Sequence, residues 1–170
     1  MVYALIYARG KTMKYNESVP TKIHLQKEIF ILQRKYPFNE NKCKYDFVPL
    51  YYGPFSTSLN LDLMAGIEDG LINDSYGLTL TENGFACASK IWNMLNDESK
   101  ITIIQTKERF NRMKTDALLD YVYTHYPKFS RKSALLRKPV DNYFTGFWNE
   151  NNLSDDYFVQ IVREYRELND

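Results

Sequence analysis

The chain is short of the residues that metal and redox chemistry use. Of 170 residues only two are cysteine, Cys43 and Cys87, and only two are histidine, His24 and His125. That excludes a histidine-rich metal site. A zinc centre would need all four residues, and none of the usual ligand spacings is present. No C-x-x-C pair occurs, and no metal or cofactor is expected. No G-x-S-x-G elbow is present, so the commonest serine-hydrolase signal is missing. Gly10-Lys11-Thr12 ends like a phosphate-binding loop, but the upstream glycine would fall at Leu5. Long apolar runs are also missing. Val2 to Ala8 is too short to span a bilayer, so no membrane role is expected. With no signal peptide and few cysteines, the expected compartment is the reducing cytoplasm. The absence of internal repeats argues against a solenoid.

What is abundant is tyrosine. Aromatic residues make up 15% of the chain, with 14 Tyr against 2 Trp. Tyrosine can bury its ring and keep its hydroxyl wet, so many half-buried surfaces are expected. The formal net charge is only +1, yet charge is strongly segregated. Residues 1 to 44 hold nine Lys/Arg and three Asp/Glu, while residues 45 to 99 hold one and eight. Residues 100 to 138 hold ten and three, and residues 139 to 170 hold two and seven. A basic, acidic, basic, acidic order results.

Periodicity predicts a mainly helical chain with a small β-wing. A first helix begins at Val2 and ends near Gly10. Thr21 caps a second, from Lys22 to Tyr36, with Leu25, Ile29 and Leu32 in register and Ile23 and Phe30 widening the stripe. Pro37 stops it, and a polar loop follows from Asn39 to Asp46. His24 is expected at the surface or boundary of that helix. Phe47 to Tyr52 reads as an edge strand and Gly53-Pro54 as a turn. Ser56 caps a third helix that buries Leu59, Leu63, Met64 and Ile67 and ends at Gly70. Leu71-Ile72 and Leu78 to Thr81 form the two strands of a wing, joined through turn-forming residues from Asn73 to Gly77. Thr81 caps the next helix, whose apolar side includes Phe85, Ile91, Trp92 and Leu95, and Cys87 is expected inside it as an inert thiol. Further helices are expected over Ser99 to Met113, Thr115 to His125, and from Ser154 to about Leu168.

The order of these pieces is that of a winged helix-turn-helix followed by a C-terminal helical region. The expected division is residues 1–97 as the winged-helix domain and 98–170 as a helical extension packed on it, a candidate for dimerisation. The stretches VPTKIHLQKEIFIL, FVPLYYGPFSTSLNLDL, GLI and LTENG occur in sequence. Together they resemble the winged-helix proteins of the YwgA-like type in archaea and bacteria, with a more distant likeness to the SocA-like Panacea antitoxin domain. LLDYVYTHYPKFSRKS is similar to a tail that some of these proteins carry. The resemblance covers roughly residues 2 to 136. It implies a predicted transcriptional regulator or a component of a toxin–antitoxin system, and no catalytic set. The matching positions are Leu25, Gln26, Lys27, Tyr52, Gly53, Pro54, Phe55 and Ser56, most of them architectural. Gln26 and Lys27 could bridge backbone groups if buried, or touch a ligand if exposed.

Two functional expectations follow. The first is a non-enzymatic regulator that binds double-stranded DNA as a dimer. Ser56, Thr57, Ser58 and Asn60 would face the groove. Lys22, Lys27, Lys128, Arg131, Lys132, Arg137 and Lys138 would hold phosphates. The alternative is a protein-interaction module, an antitoxin or adaptor. It would present Asp62, Glu68, Asp69 and Asp74 from the acidic stretch 45–99 to a basic partner.

Overall fold

A computed structural model describes residues 1–35 and 45–129. These residues belong to one compact unit. The description holds six α-helices and two small antiparallel sheets. They are α1 (Val2–Tyr7), α2 (Lys22–Lys35), β1 (Val48–Leu50), β2 (Gly53–Phe55), α3 (Thr57–Glu68), β3 (Ile72–Asn73), β4 (Thr79–Leu80), α4 (Glu82–Asn93), α5 (Asp97–Phe110) and α6 (Thr115–His125). One 3₁₀ turn, Pro127–Phe129, follows α6. The expected loop from Asn39, the stop at Pro37 and the helix from Ser154 lie outside the described residues.

Local chemistry sets the boundaries. The Thr21 hydroxyl accepts the His24 backbone N–H at 3.2 Å, and Ser56 accepts that of Leu59 at 3.3 Å. Thr81 accepts the N–H of Gly84 at 3.2 Å, and Asn96 that of Ser99 at 2.8 Å. Each oxygen satisfies one of the N–H groups that a helix start leaves unpaired. Gly70, at φ +67°, follows the C-terminus of α3, where a left-handed residue ends the helix.

The hairpin β1–β2 corrects one expectation. Leu50 pairs with Gly53, so the reversal lies at Tyr51-Tyr52 and Gly53-Pro54 belongs to β2. Gly53 is still required there, because its φ of +79° is a conformation that a side chain rarely adopts. Pro49 faces Pro54 across the ribbon. Neither has an N–H, so the ladder bonds must come from the neighbouring pairs. The second hairpin pairs Ile72 with Leu80 and Asn73 with Thr79.

Helix α2 is the centre of the unit. Every residue from Ile23 to Leu32 is buried. On one side lies a core of Leu5, Ile6, Leu25, Ile29, Leu32, Leu59, Leu63, Leu78, Trp92 and Ile103. On the other, Phe30 and Ile31 pack with Phe110, Leu118 and Val122 of α5 and α6. Helices α5 and α6 therefore share their core with the elements before them. A helix between two cores must bury its polar residues too. His24 is 2% exposed, not a boundary residue. Its ring lies 2.8 Å from the Thr21 hydroxyl and 3.0 Å from the carbonyl of Met113.

On α4 the buried line is Gly84, Ala88 and Trp92. Phe85 and Ile91, expected on the apolar side, are each 37% exposed, and the Cys87 thiol is exposed rather than enclosed. The ring of Phe85 packs on Tyr7 at 4.8 Å, so it covers the core from outside.

Three side-chain amides act as substitute strand partners. Asn16 bonds both the N–H and the carbonyl of Leu80, at 2.7 and 2.9 Å. Gln26 does the same for Ser56, at 3.0 Å each, and Gln33 for Tyr45, at 3.0 Å each. Backbone groups on an edge that no strand covers are satisfied in this way.

Candidate interaction surfaces

Gln26-Lys27 and Gly53 to Ser56 of the sequence motif form a single buried junction, with Tyr52 half-buried beside it. The Lys27 amine lies under the β1–β2 ribbon and donates to the Pro54 carbonyl at 2.9 Å. Gln26 holds the backbone of Ser56, one residue before α3 begins. Burial pushes the Lys27 amine down to about 7. Lys27 therefore cannot hold a phosphate, against expectation, because its charge-bearing end is enclosed and already bonded. Ser56 and Asn60 are likewise buried and cannot reach a groove. Ser56 is used as the cap.

The rest of α3 does face outward. Ser58, Leu61, Asp62, Ala65 and Glu68 are exposed, with Asp69 just beyond the helix end, and Thr57 is half-buried. These residues recur at helical spacing and form one stripe. The stripe has an apolar centre, Leu61 at 62% exposure, and three carboxylates, with no lysine or arginine. Asp62 accepts a hydrogen bond from the Tyr45 hydroxyl at 2.7 Å. Asp74, in the β3–β4 turn, lies 3.3 Å from the ammonium of Lys22. These two members of opposite candidate sets thus pair with each other.

A second surface is basic and aromatic. Arg109 of α5 lies over the rings of Phe110 and Tyr121, 5.3 and 4.9 Å from their centroids. Lys35, at the end of α2, lies 5.9 Å from the same two rings. Arg34 lies over Phe30 and Phe129. Lys128 is exposed nearby in sequence. Arg131, Lys132, Arg137 and Lys138 lie outside the described residues.

A third set of ionisable groups is internal, and no pattern in the sequence marks it. Lys107 of α5 is fully buried, and its ammonium donates to the carbonyls of Ile6 and Ala8 at 2.7 and 2.8 Å. It closes the C-terminus of α1 from another helix, where a cation is favoured. Burial pushes it down to about 8, against the charges of Glu28 and Glu17. The Glu28 carboxyl is also fully buried, with no hydrogen-bond partner at either oxygen. Burial drives it well above the ordinary carboxylate range, although Lys107 pulls the other way. An i, i+4 or charge-pattern reading cannot find such a pair, because its members are far apart in sequence and look like ordinary surface charges.

Among the described residues, no group of three His, Cys, Asp or Glu is placed to hold a metal, and no helix is long and apolar enough to cross a membrane. Comparison with known families, curated proteins and solved structures finds no match.

Proposed function

We propose that the chain is a winged-helix binding module of the kind its motifs resemble, in which α2 and α3 form the helix-turn-helix pair and β3–β4 the wing. It acts by binding rather than catalysis, and its partner is a basic protein docked on the exposed stripe of α3. The single observation that carries this reading is the composition of that stripe: Leu61 among Asp62, Glu68 and Asp69, with no cation. DNA affinity rests largely on cations that neutralise phosphates, and this helix presents the opposite charge. An apolar anchor ringed by carboxylates suits a cationic protein surface, where the rim steers and the centre desolvates.

The test is affinity capture with the full chain and with a charge-reversed variant, Asp62→Lys with Glu68→Lys and Asp69→Lys. A basic partner retained by the first and lost by the second is the expected result. Identical captures from both would overturn the reading. The DNA-binding regulator is a second reading. It is favoured by the exposed Ser58 and half-buried Thr57 at the start of α3, where hydroxyls and helix N–H groups can meet phosphate. Titration with duplex DNA at low and physiological salt separates the two. Binding with a steep salt slope would favour the regulator.

A further inference from the structure

We propose that the groove between the Gly10–Thr12 loop and the C-terminal half of α5 is a binding site for a phosphorylated small molecule. The groove has a volume of about 690 Å³ and is lined by Lys11, Gln105, Glu108, Arg109, Arg112 and Met113. That volume is in the range of small-molecule sites. The proposal stands apart from the α3 stripe and does not depend on it.

Three cations face one carboxylate here. Among the described residues none of Lys11, Arg109 and Arg112 is in an ion pair. Unpaired like charges converging on a concave surface raise the local positive potential and draw in an anion. The cations are also held in place. Glu17 accepts the backbone N–H groups of Lys11 and Thr12 at 3.2 and 2.7 Å, and the Thr12 hydroxyl as well. This folds the loop around its own internal carboxylate and leaves the Lys11 side chain for the groove. Arg109 rests on the faces of Phe110 and Tyr121. A guanidinium packed against aromatic rings still has N–H donors for bidentate bonds, the geometry that phosphate oxygens accept.

Glu108 and Gln105 narrow the class. A lone carboxylate on the wall repels a bare polyanion but accepts from a hydroxyl or amine. Gln105 can donate or accept. The ligand therefore carries a phosphate or diphosphate end and a hydrogen-bonding body, as a nucleoside diphosphate does.

The test is calorimetric titration of the full chain with ADP and with inorganic pyrophosphate, alongside Arg109→Gln, Arg112→Gln and Lys11→Gln. Lys90→Gln, an exposed cation on α4, is the control. ADP is expected to bind, and each arginine variant to weaken it roughly tenfold to a hundredfold, the range for a hydrogen bond to a charged group. The control should bind as the wild type does. Thermal unfolding checks that each variant is folded. If an arginine variant is not, Lys11→Gln in the exposed loop carries the test. Failure of both ligands to bind at millimolar concentration overturns the proposal, as does binding that the folded variants leave unchanged. A short single-stranded oligonucleotide that binds through the same residues far better than ADP overturns it too, since the groove then belongs to nucleic acid.

Discussion

Replacing Lys27 with methionine should stabilise the protein at neutral pH and destabilise it at high pH. In the unfolded chain the Lys27 amine holds its proton up to about 10.5, whereas in the folded chain it gives it up near 7. Between those values the unfolded state binds more protons, so stability rises with pH. The cost of burying this lysine is full below about 7 and gone above about 10.5. At ~1.4 kcal/mol per pH unit the whole span is about 5 kcal/mol. Methionine fills a similar volume without the amine. It forfeits the hydrogen bond to the Pro54 carbonyl and leaves that acceptor unpaired, a loss of about 2–4 kcal/mol. The variant should therefore gain about 1–3 kcal/mol at pH 7 and lose about 2–4 kcal/mol near pH 10.5, by the same figures. His24 does not blur the difference. Burial and the neighbouring Lys27 lower its pKa in the folded state, and in the unfolded chain it loses its remaining charge just above pH 7, far below the range over which Lys27 titrates in that state. Urea unfolding of wild type and Lys27→Met, at pH steps from 7 to 10, measures the difference. A difference that stays flat with pH would refute the account of Lys27 as a neutral, buried donor.

Four further substitutions probe the same framework. Gln26→Leu strips two hydrogen bonds from the buried backbone of Ser56 and should cost about 2–4 kcal/mol in urea unfolding. Asn16→Ala removes both bonds to Leu80 and leaves an alanine at φ +60°. Its expected cost is about 2–3 kcal/mol, with faster hydrogen exchange at the Leu80 amide. Gly84→Ala would set a methyl 1.9 Å from the Leu71 carbonyl oxygen, a backbone atom that cannot step aside. At Gly66 the nearest atoms, at 2.7 and 2.8 Å, are the side-chain ends of Ile72 and Tyr3. Gly84→Ala should therefore destabilise the protein far more than Gly66→Ala in urea unfolding, by about 3 kcal/mol or more against about 1 kcal/mol. Equal effects would show that α4 is not locked against Leu71 as described.

Element order and caps were legible in the sequence because they are local. Thr21, Ser56 and Thr81 each sit where a helix must start, and α6 begins and ends at the expected residues, Thr115 and His125. Asn96 was not read as a cap, and α5, expected from Ser99 to Met113, runs from Asp97 to Phe110. The face of a helix was harder to read wherever more than one neighbour packs on it. Leu25, Ile29 and Leu32 marked one side of α2 correctly, but nothing in a single periodic stripe reveals a second core on the opposite side. The helix therefore looked amphipathic although Ile23 to Leu32 are all buried. His24 and Lys27 were misplaced for that reason. The α4 error is the converse. Phe85 and Ile91 are large and apolar, yet the contact line is set by Gly84 and Ala88, whose small size lets the helix approach. Of the candidate interface, the acidic character of α3 was visible in composition. The groove beside α5 was not, because it joins Lys11 to Arg109 and Arg112 across most of the chain.

The buried junction explains why the motif residues sit together. Gln26 and Lys27 project from α2 and bind Ser56 and Pro54, so they fix how the start of α3 is set against α2. Each is a polar group enclosed by apolar neighbours, and each is costly unless its partner is in place. Such a junction tolerates one geometry and penalises the others, which makes it a device for holding two helices at a set relation. The same enclosure removes these residues from contact with any ligand or partner. Two chains could share the junction residue for residue and still bind unlike partners, because Leu61, Asp62, Glu68 and Asp69 on one side and Lys11, Arg109 and Arg112 on the other are free to change without disturbing it. A resemblance carried by buried residues is thus a statement about architecture. The proposed basic partner would be distinguished instead by the exposed stripe of α3, where the charge is negative.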